Sequence, residues 1–448
     1  MPTRIVTRTW QGPAAALLAL LWVAMSPGPV RAADPGPPET PVALETLLEE
    51  ARARNPRIRA AQAAWRAARL DIPQASALPD PTVGYMVMGE HLETRLGPQE
   101  HVFEVEQMVP FPGKLLARRR EAAAAARAAE AAVRGIEQDV RLSVAQAYYD
   151  LYAVDGTIRV VEDLQELLRN IEGIAQARYA SGTGSQRDVA KAQAEVSDTI
   201  QRLFVLRQRR ETLGSLLNAL LDRDPRGAAP STVRPDVPSA ALELDTLLEL
   251  ARTHRPELAA AAANAEEAAH AAARAKLAYA PDLSVGFRYI GIGDGTTSLP
   301  HDGRDAWMVP VMVTVPLWQN RIVPEVLEAA RRREASRALL EEETNLTEFA
   351  VRDAFARFDA ARRIVSLYEH ALIPEAELAL RSDQAGYEAG RTDVLNLIDS
   401  ERVYLNANVA HLQSLAEALT QFAALERAVG APLDGAAAPR QAGQGGTE

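Results

Sequence analysis

The sequence predicts a mainly α-helical chain with a small β part. Long coiled-coil helices occur as a tandem repeat, and four short strands per chain contribute to a barrel that several chains share. Three observations lead to this class. The chain of 448 residues is rich in alanine and charged side chains and only 5% aromatic, a composition suited to long slender helices rather than a thick core. The chain repeats itself: ALETLLEEARARNPRI (43–58) matches ELDTLLELARTHRPEL (243–258) without a gap at an offset of 200, and YASGTGSQRDVAKAQ (179–193) parallels YEAGRTDVLNLIDSE (387–401) at an offset of 208. Between these matches, short segments alternate apolar and polar residues as half-buried strands do.

The elements follow in order. Arg4 and Arg8, the apolar run AAALLALLWVAM and a small-residue site ending at Ala32 have the three parts of a secretory signal peptide over 1–32, followed by a short extension over 33–40. The run of twelve apolar residues is too short to span a bilayer as a helix. The first repeat, 41–222, reads as a helix over 41–77, strands near 82–89 and 101–109, a very long helix over 114–180, a glycine turn and a helix over 185–221. A Pro- and Gly-rich linker over 223–240 leads to the second repeat, 241–431, with helices near 241–279, 321–388 and 393–430 and strands near 282–290 and 306–316; a disordered tail over 432–448 is expected. A helix of nearly 70 residues extends about 100 Å, so these helices must pack lengthwise as coiled coils.

Where the strand HVFEVEQMV meets the long helix there is almost no loop. Pro110 and Pro112 cannot donate ladder hydrogen bonds, and each holds its predecessor extended, while Phe111 lies between them and Gly113 frees the backbone. The second copy has Pro316 and Trp318 in VPLWQN at the corresponding place.

The strands alternate in a particular sense. Leu283, Val285, Phe287 and Tyr289 face one way and Ser284, Gly286 and Arg288 the other; Phe103 and Val105 likewise oppose Glu104 and Glu106. Apolar outside and polar inside is the pattern of a membrane barrel, which four strands cannot close. Two chains would supply about eight strands, whose interior side chains fill, and three about twelve, which leave a channel. A small soluble sheet capping a coiled coil is the alternative that the pattern leaves open.

Reaction chemistry is not legible. Cysteine is absent, and His91, His101, His254, His270, His301, His370 and His411 include no pair at helical metal-ligand spacing, so neither metal nor cofactor is expected. GIGDG (291–295) follows a strand into turn residues rather than a helix, and no nucleophile elbow or phosphate loop is present. The formal charge of −11, more negative once the arginine-bearing leader is removed, argues against nucleic acid as a partner.

The doubled unit, the junction QMVPFPGK, its counterpart VPLWQN, the turn YASGTGSQRDVAKAQ and the stretch GRTDVLNLIDSERVYLNA together resemble the TolC-like outer-membrane efflux proteins over about 41–431. PFPGK is similar to the branch that includes heavy-metal efflux channels. The resemblance implies a homotrimer in the outer membrane of a bacterium, with a shared β-barrel in lipid and a helical tunnel through the periplasm. It implies a periplasmic adaptor (membrane fusion) protein and an inner-membrane efflux pump of RND type as partners, and a passive conduit rather than an enzyme. Metal cations or small toxic compounds would be the cargo. The junction would then lie near the membrane interface, with Phe111 and Trp318 in an aromatic girdle. The helix turns, with Gly182, Gly184, Gly390 and Arg391, would be adaptor-docking tips, and Ser185 and Asp393 would cap the helices that follow. The residues Asp188, Lys191, Asp393, Asn396 and Asp399 would surround a periplasmic aperture, Lys191 facing Asp399 on a neighbouring hairpin; the aspartate matches a family position there, and the lysine partner is inferred from the repeat. A periplasmic coiled-coil adaptor or stalk is the alternative function.

Overall fold

The computed structural model describes residues 41–94, 97–238, 242–295 and 300–433. The expected signal peptide, the extension to residue 40 and the tail beyond Leu433 lie outside the described residues.

The first element departs from the sequence reading. In place of one helix over 41–77, α1 (Leu44–Arg54) and α2 (Pro56–Ala75) meet at Asn55. Pro56 lacks an amide hydrogen and forces its predecessor out of the helical region, and Asn55 has ψ 126°. The broken end is then used: Asn55 accepts from the Arg57 amide and donates its side-chain amide to the Leu220 carbonyl. The second repeat breaks at the same point, between α5 (Leu244–His254) and α6 (Pro256–Lys276), where Arg255 has ψ 120° before Pro256. One 3₁₀ turn, Leu277–Tyr279, completes the stretch expected to be helical to 279.

Two strands follow α2, longer than the sequence suggests: β1 (Thr82–Thr94) and β2 (Gly97–Val109). β2 then pairs antiparallel with β3 (Asp282–Ile292) of the second repeat, so the two copies share one sheet. The strand expected over 306–316 is divided into β4 (Ala306–Met308) and β5 (Val311–Thr314), both paired to β3. Pro310 has no hydrogen to give the ladder, but its carbonyl still accepts from the Gly286 amide at 2.9 Å. Gly286 permits this approach, since a β-carbon there would lie 3.0 Å from the Pro310 ring.

The long helices bear out the repeat. α3 (Pro112–Ala180) has 69 residues and therefore runs about 100 Å from the sheet to the first turn. α4 (Gln186–Leu220) returns alongside it. In the second repeat α7 (Gln319–Leu367) and α8 (Ile373–Glu388) replace the single helix expected over 321–388. A π-turn at Tyr368–Leu372 separates them, one residue before Pro374. A wider turn is one way to relieve the clash of a helical proline with the carbonyl four residues earlier. α9 (Val394–Val429) completes the repeat and stops at Gly430, which has φ +86°.

The core is a set of seams. Leu47, Val144, Tyr148, Leu151, Leu217 and Leu419 form one cluster, and Leu247, Val351, Phe358, Phe422 and Leu425 the corresponding one in the second repeat. Backbone just before α1 and in the linker joins the first: the Tyr148 hydroxyl donates to the carbonyl of Val42, ahead of α1, and accepts from the amide of linker residue Val233. Two further clusters lie along the hairpin seams between this region and the turns. Among the described residues no helix is long and apolar enough to cross a membrane.

Candidate functional site

Three places concentrate the residues that sequence singled out: the sheet, its junction with α3, and the helix turns with the seam above them.

Cross-strand register sorts the sheet into faces. Tyr85, Phe103, Tyr289 and Trp307 are neighbours on successive strands, as are Val83, Val105 and Phe287, and Tyr85 and Trp307 are 64% and 69% exposed. On the other face Gly84, Glu104, Arg288 and Met308 share a row, and Arg288 donates to Glu104 at 2.7 Å. Aromatic and branched apolar residues thus cover the side with nothing packed on it, while a salt bridge occupies the side expected to be polar. β1 on one edge, and β4 with β5 on the other, have no second strand partner among the described residues. The 13-residue β1 edge in particular is a template for another strand.

At the junction only Pro110 and Phe111 separate β2 from α3, and Pro112 is the first helical residue, where a missing amide hydrogen costs nothing. Pro110 is buried and Phe111 exposed. The Phe111 amide donates to Asp282 Oδ1 at 2.9 Å, and the Lys114 ammonium donates to both Asp282 oxygens at 2.8 Å and to the Ala280 carbonyl at 2.9 Å. Gly113 leaves room for the Phe111 ring, which a β-carbon would meet at 3.2 Å. Sequence reasoning missed Asp282 and Lys114 as partners, although the PFPGK lysine and the aspartate opening β3 were both in view. The second junction is looser: four residues, including half-buried Pro316 and 73%-exposed Trp318, connect β5 to α7.

The turns are near copies of each other. Gly182 and Gly390 have φ of +76° and +69°, and a β-carbon at either would meet nothing within 4 Å. Backbone conformation, rather than space, therefore explains glycine there. The Thr183 and Gly184 amides return to the Arg178 carbonyl, and the Arg391 and Thr392 amides to that of Gly386. Gly184 is half-buried because Arg178 packs on it, whereas Gly182, Gly390 and Arg391 are exposed. Ser185 caps α4 through a reciprocal pair with Asp188, and Asp393 caps α9 by accepting from the Asn396 amide at 3.0 Å. Asp188 and Asp393 are thus engaged in shaping the turns, a role that Asp393 was expected to have.

Other contacts join the hairpins within one protomer. The Arg178 guanidinium lies 4.3 Å from the centre of the buried Tyr387 ring and donates to the Tyr387 carbonyl. Farther along the seam Lys191 pairs with Glu195 at 3.0 Å, not with Asp399, and Arg402 reaches from α9 to the same carboxylate at 2.6 Å. Burial works to raise the Glu195 carboxyl, but hydrogen bonds from Lys191 and Arg402 outweigh it and hold the group below the usual range. Asn396 and Asp399 lie on the exposed side of α9. Sequence reasoning did not find Arg178, Tyr387, Glu195 or Arg402. Tyr387 alone carried a signal, as the repeat partner of Tyr179.

A family model described as outer membrane efflux protein matches residues 47–221 and 247–431, one segment in each repeat. The chain is 21% identical over 394 residues to the cobalt-zinc-cadmium resistance protein CzcC of Cupriavidus metallidurans, covering 87% of this chain and 90% of that one. Among solved structures it resembles the outer membrane protein VceC of Vibrio cholerae, with a TM-score of 0.72 at 22% identity over 87% of this chain and 96% of that one. It also resembles the open state of the MtrE outer membrane channel of Neisseria gonorrhoeae, with a TM-score of 0.69 at 19% identity over 87% and 89%.

Proposed function

The chain belongs to the outer membrane efflux protein family, and we propose that it forms the homotrimeric exit duct of a tripartite system that expels heavy-metal cations. It is an outer-membrane efflux channel with a large periplasmic helical extension, and it catalyses no reaction. An inner-membrane pump of RND type and a periplasmic adaptor are its proposed partners, and the name of its cobalt-zinc-cadmium relative supports metal as cargo.

The observation that carries the assembly is the sheet. Three of its lanes, strands of 13, 13 and 11 residues, reach or exceed the roughly 9–11 residues a barrel strand needs to cross lipid, and the fourth lane is divided into β4 and β5 at Pro310. Its outward face is apolar and both edges are free among the described residues. A soluble adaptor or stalk has no use for that surface. Three copies, each giving four lanes of strand, would close about twelve and leave a water-filled channel.

The turns are the proposed docking tips, through exposed Gly182, Gly390 and Arg391. At the aperture, Lys191 of one hairpin is proposed to exchange its Glu195 contact for Asp399 of a neighbouring copy in the closed trimer. Deletion of the gene tests the function: sensitivity to cobalt, zinc or cadmium is expected, restored by the wild-type chain. Unaltered tolerance of all three would remove metal as the cargo. Crosslinkable cysteines at Thr183 and Arg391, rather than at crowded Gly184, should capture the adaptor in cells, and failure at both would remove the tips as its dock.

A further inference from the structure

Along the buried face of α9, Ile398, Glu401 and Leu405 follow at helical spacing, so Glu401 occupies a position that should hold a core side chain. Ile398 belongs to the apolar cluster nearer the turns and Leu405 to the next cluster along the helices, and Glu401 separates the two. It is 2% exposed, and neither carboxyl oxygen has a hydrogen-bond partner among the described residues. Buried carboxylates are almost always paired.

Its surroundings explain how this one could act. α3 presents Leu164, Leu168 and Asp163, and α8 presents Leu380, while Asp383 of α8 is held by the Ser400 hydroxyl. α4 presents Glu195, Asp198 and Arg202, of which Asp198 and Arg202 pair with each other and Glu195 is bridged to Arg402 of α9. Tyr404 of α9 lines the opposite side. The cations near Glu401 are therefore already engaged.

We propose that Glu401 is a protonation-controlled latch between the α3–α4 and α8–α9 hairpins. Protonated, it is a neutral side chain that the seam can bury. Ionised, it competes with Glu195 for the Arg402 guanidinium, weakens the α4–α9 bridge and lets the hairpins part. Burial, with a smaller contribution from the Glu195 charge, pushes the Glu401 carboxyl up to about 7. A carboxyl raised in the packed state stabilises packing at low pH and loses that contribution as pH rises through about 7, so between pH 5 and pH 8 the packed seam should lose on the order of ten- to a hundredfold in its equilibrium. That release of the latch admits cargo rests on the duct reading above; the latch itself needs only one protomer's helices.

Amide hydrogen exchange of the intact, detergent-solubilised protein tests it, comparing pH 5.5 and pH 8 after correction for the intrinsic chemical rate. Wild-type amides over 394–410 should lose at least tenfold in protection at the higher pH. Glu401→Gln, neutral and nearly the same shape, should hold the acid-like protection at both, and Glu401→Leu should do so independently. Equal wild-type protection at both pH values, or full pH dependence retained in the variants, would overturn the latch. The wild-type comparison decides even if both variants fail to fold. Bilayer conductance measured in parallel separates the two readings: exchange that follows pH without any channel current leaves the latch standing and removes the duct.

Discussion

Asp282→Ala should loosen the weld between sheet and helix more than any other single change at the junction. The substitution removes at once the acceptor for the Phe111 amide and two of the three acceptors of the Lys114 ammonium. A hydrogen bond to a charged group contributes about 1.5–3 kcal/mol when solvent is largely excluded. The Lys114 and Asp282 side chains are 15% and 24% exposed, so only a modest discount for screening applies. Lys114 would be left half-buried with the Ala280 carbonyl as its remaining partner. Together these effects give a loss of about 2–4 kcal/mol. Asp282→Asn keeps an oxygen for the Phe111 amide and should lose about 1–2 kcal/mol. Lys114→Met loses the charge at the other end, and the double variant should show a coupling of about 1–2 kcal/mol. Guanidinium unfolding in detergent, followed by tryptophan fluorescence, supplies the four stabilities. A coupling below about 0.5 kcal/mol, with Asp282→Ala as stable as wild type, would refute the clamp.

Gly182→Ala and Gly390→Ala should each cost about 1 kcal/mol, because both residues lie at positive φ in open space. Faster amide exchange centred on the two turns, with only a small drop in the global midpoint, is the expected reading. Phe287→Arg puts a charge on the outward face of the sheet at an expected cost of about 2–4 kcal/mol if it lies near the bilayer centre. It should reduce the protein recovered from outer membranes as the proposed trimer, whereas Glu104→Gln, on the opposite face, should leave insertion intact. Glu195→Gln should abolish an acid-sensitive step in the seam: a carboxyl held low stabilises packing above its ordinary value of 4.5, and that contribution fades as pH falls through its depressed value. Wild-type unfolding midpoints should fall as pH is lowered from 4.5 toward 3, and those of the variant should stay flatter over the same range.

Local chemistry made much of the fold legible. The glycine turns, the caps at Ser185 and Asp393 and the proline junction are each written within a few residues, and the repeat fixed their order. The breaks at Asn55 and Arg255 were equally local, since Pro56 and Pro256 recur at the offset of 200; drawing one helix through them overlooks what proline does to its predecessor. Division of the last strand at Pro310 has the same cause. The pairing of β2 with β3 is different in kind. It joins residues more than 170 apart, as Val109 with Leu283, and no short-range pattern encodes it. Lys114 and Asp282 were invisible as a pair for the same reason.

Two glutamates show where sequence stops being informative. Glu195 and Glu401 carry no sequence signal that sets them apart from the many other charged residues of these helices, yet both are largely buried. Glu195 receives two cations, one from its own helix and one from α9, so its charge is favoured. Glu401 receives none, so its charge is opposed. The distinction arises from how α4 and α9 meet, which no short-range pattern encodes. Its consequence is a seam bounded on both sides: acid removes the Glu195 bridge, and base ionises Glu401 as pH passes about 7. The hairpins should therefore hold each other most firmly in mildly acidic solution and loosen toward either extreme.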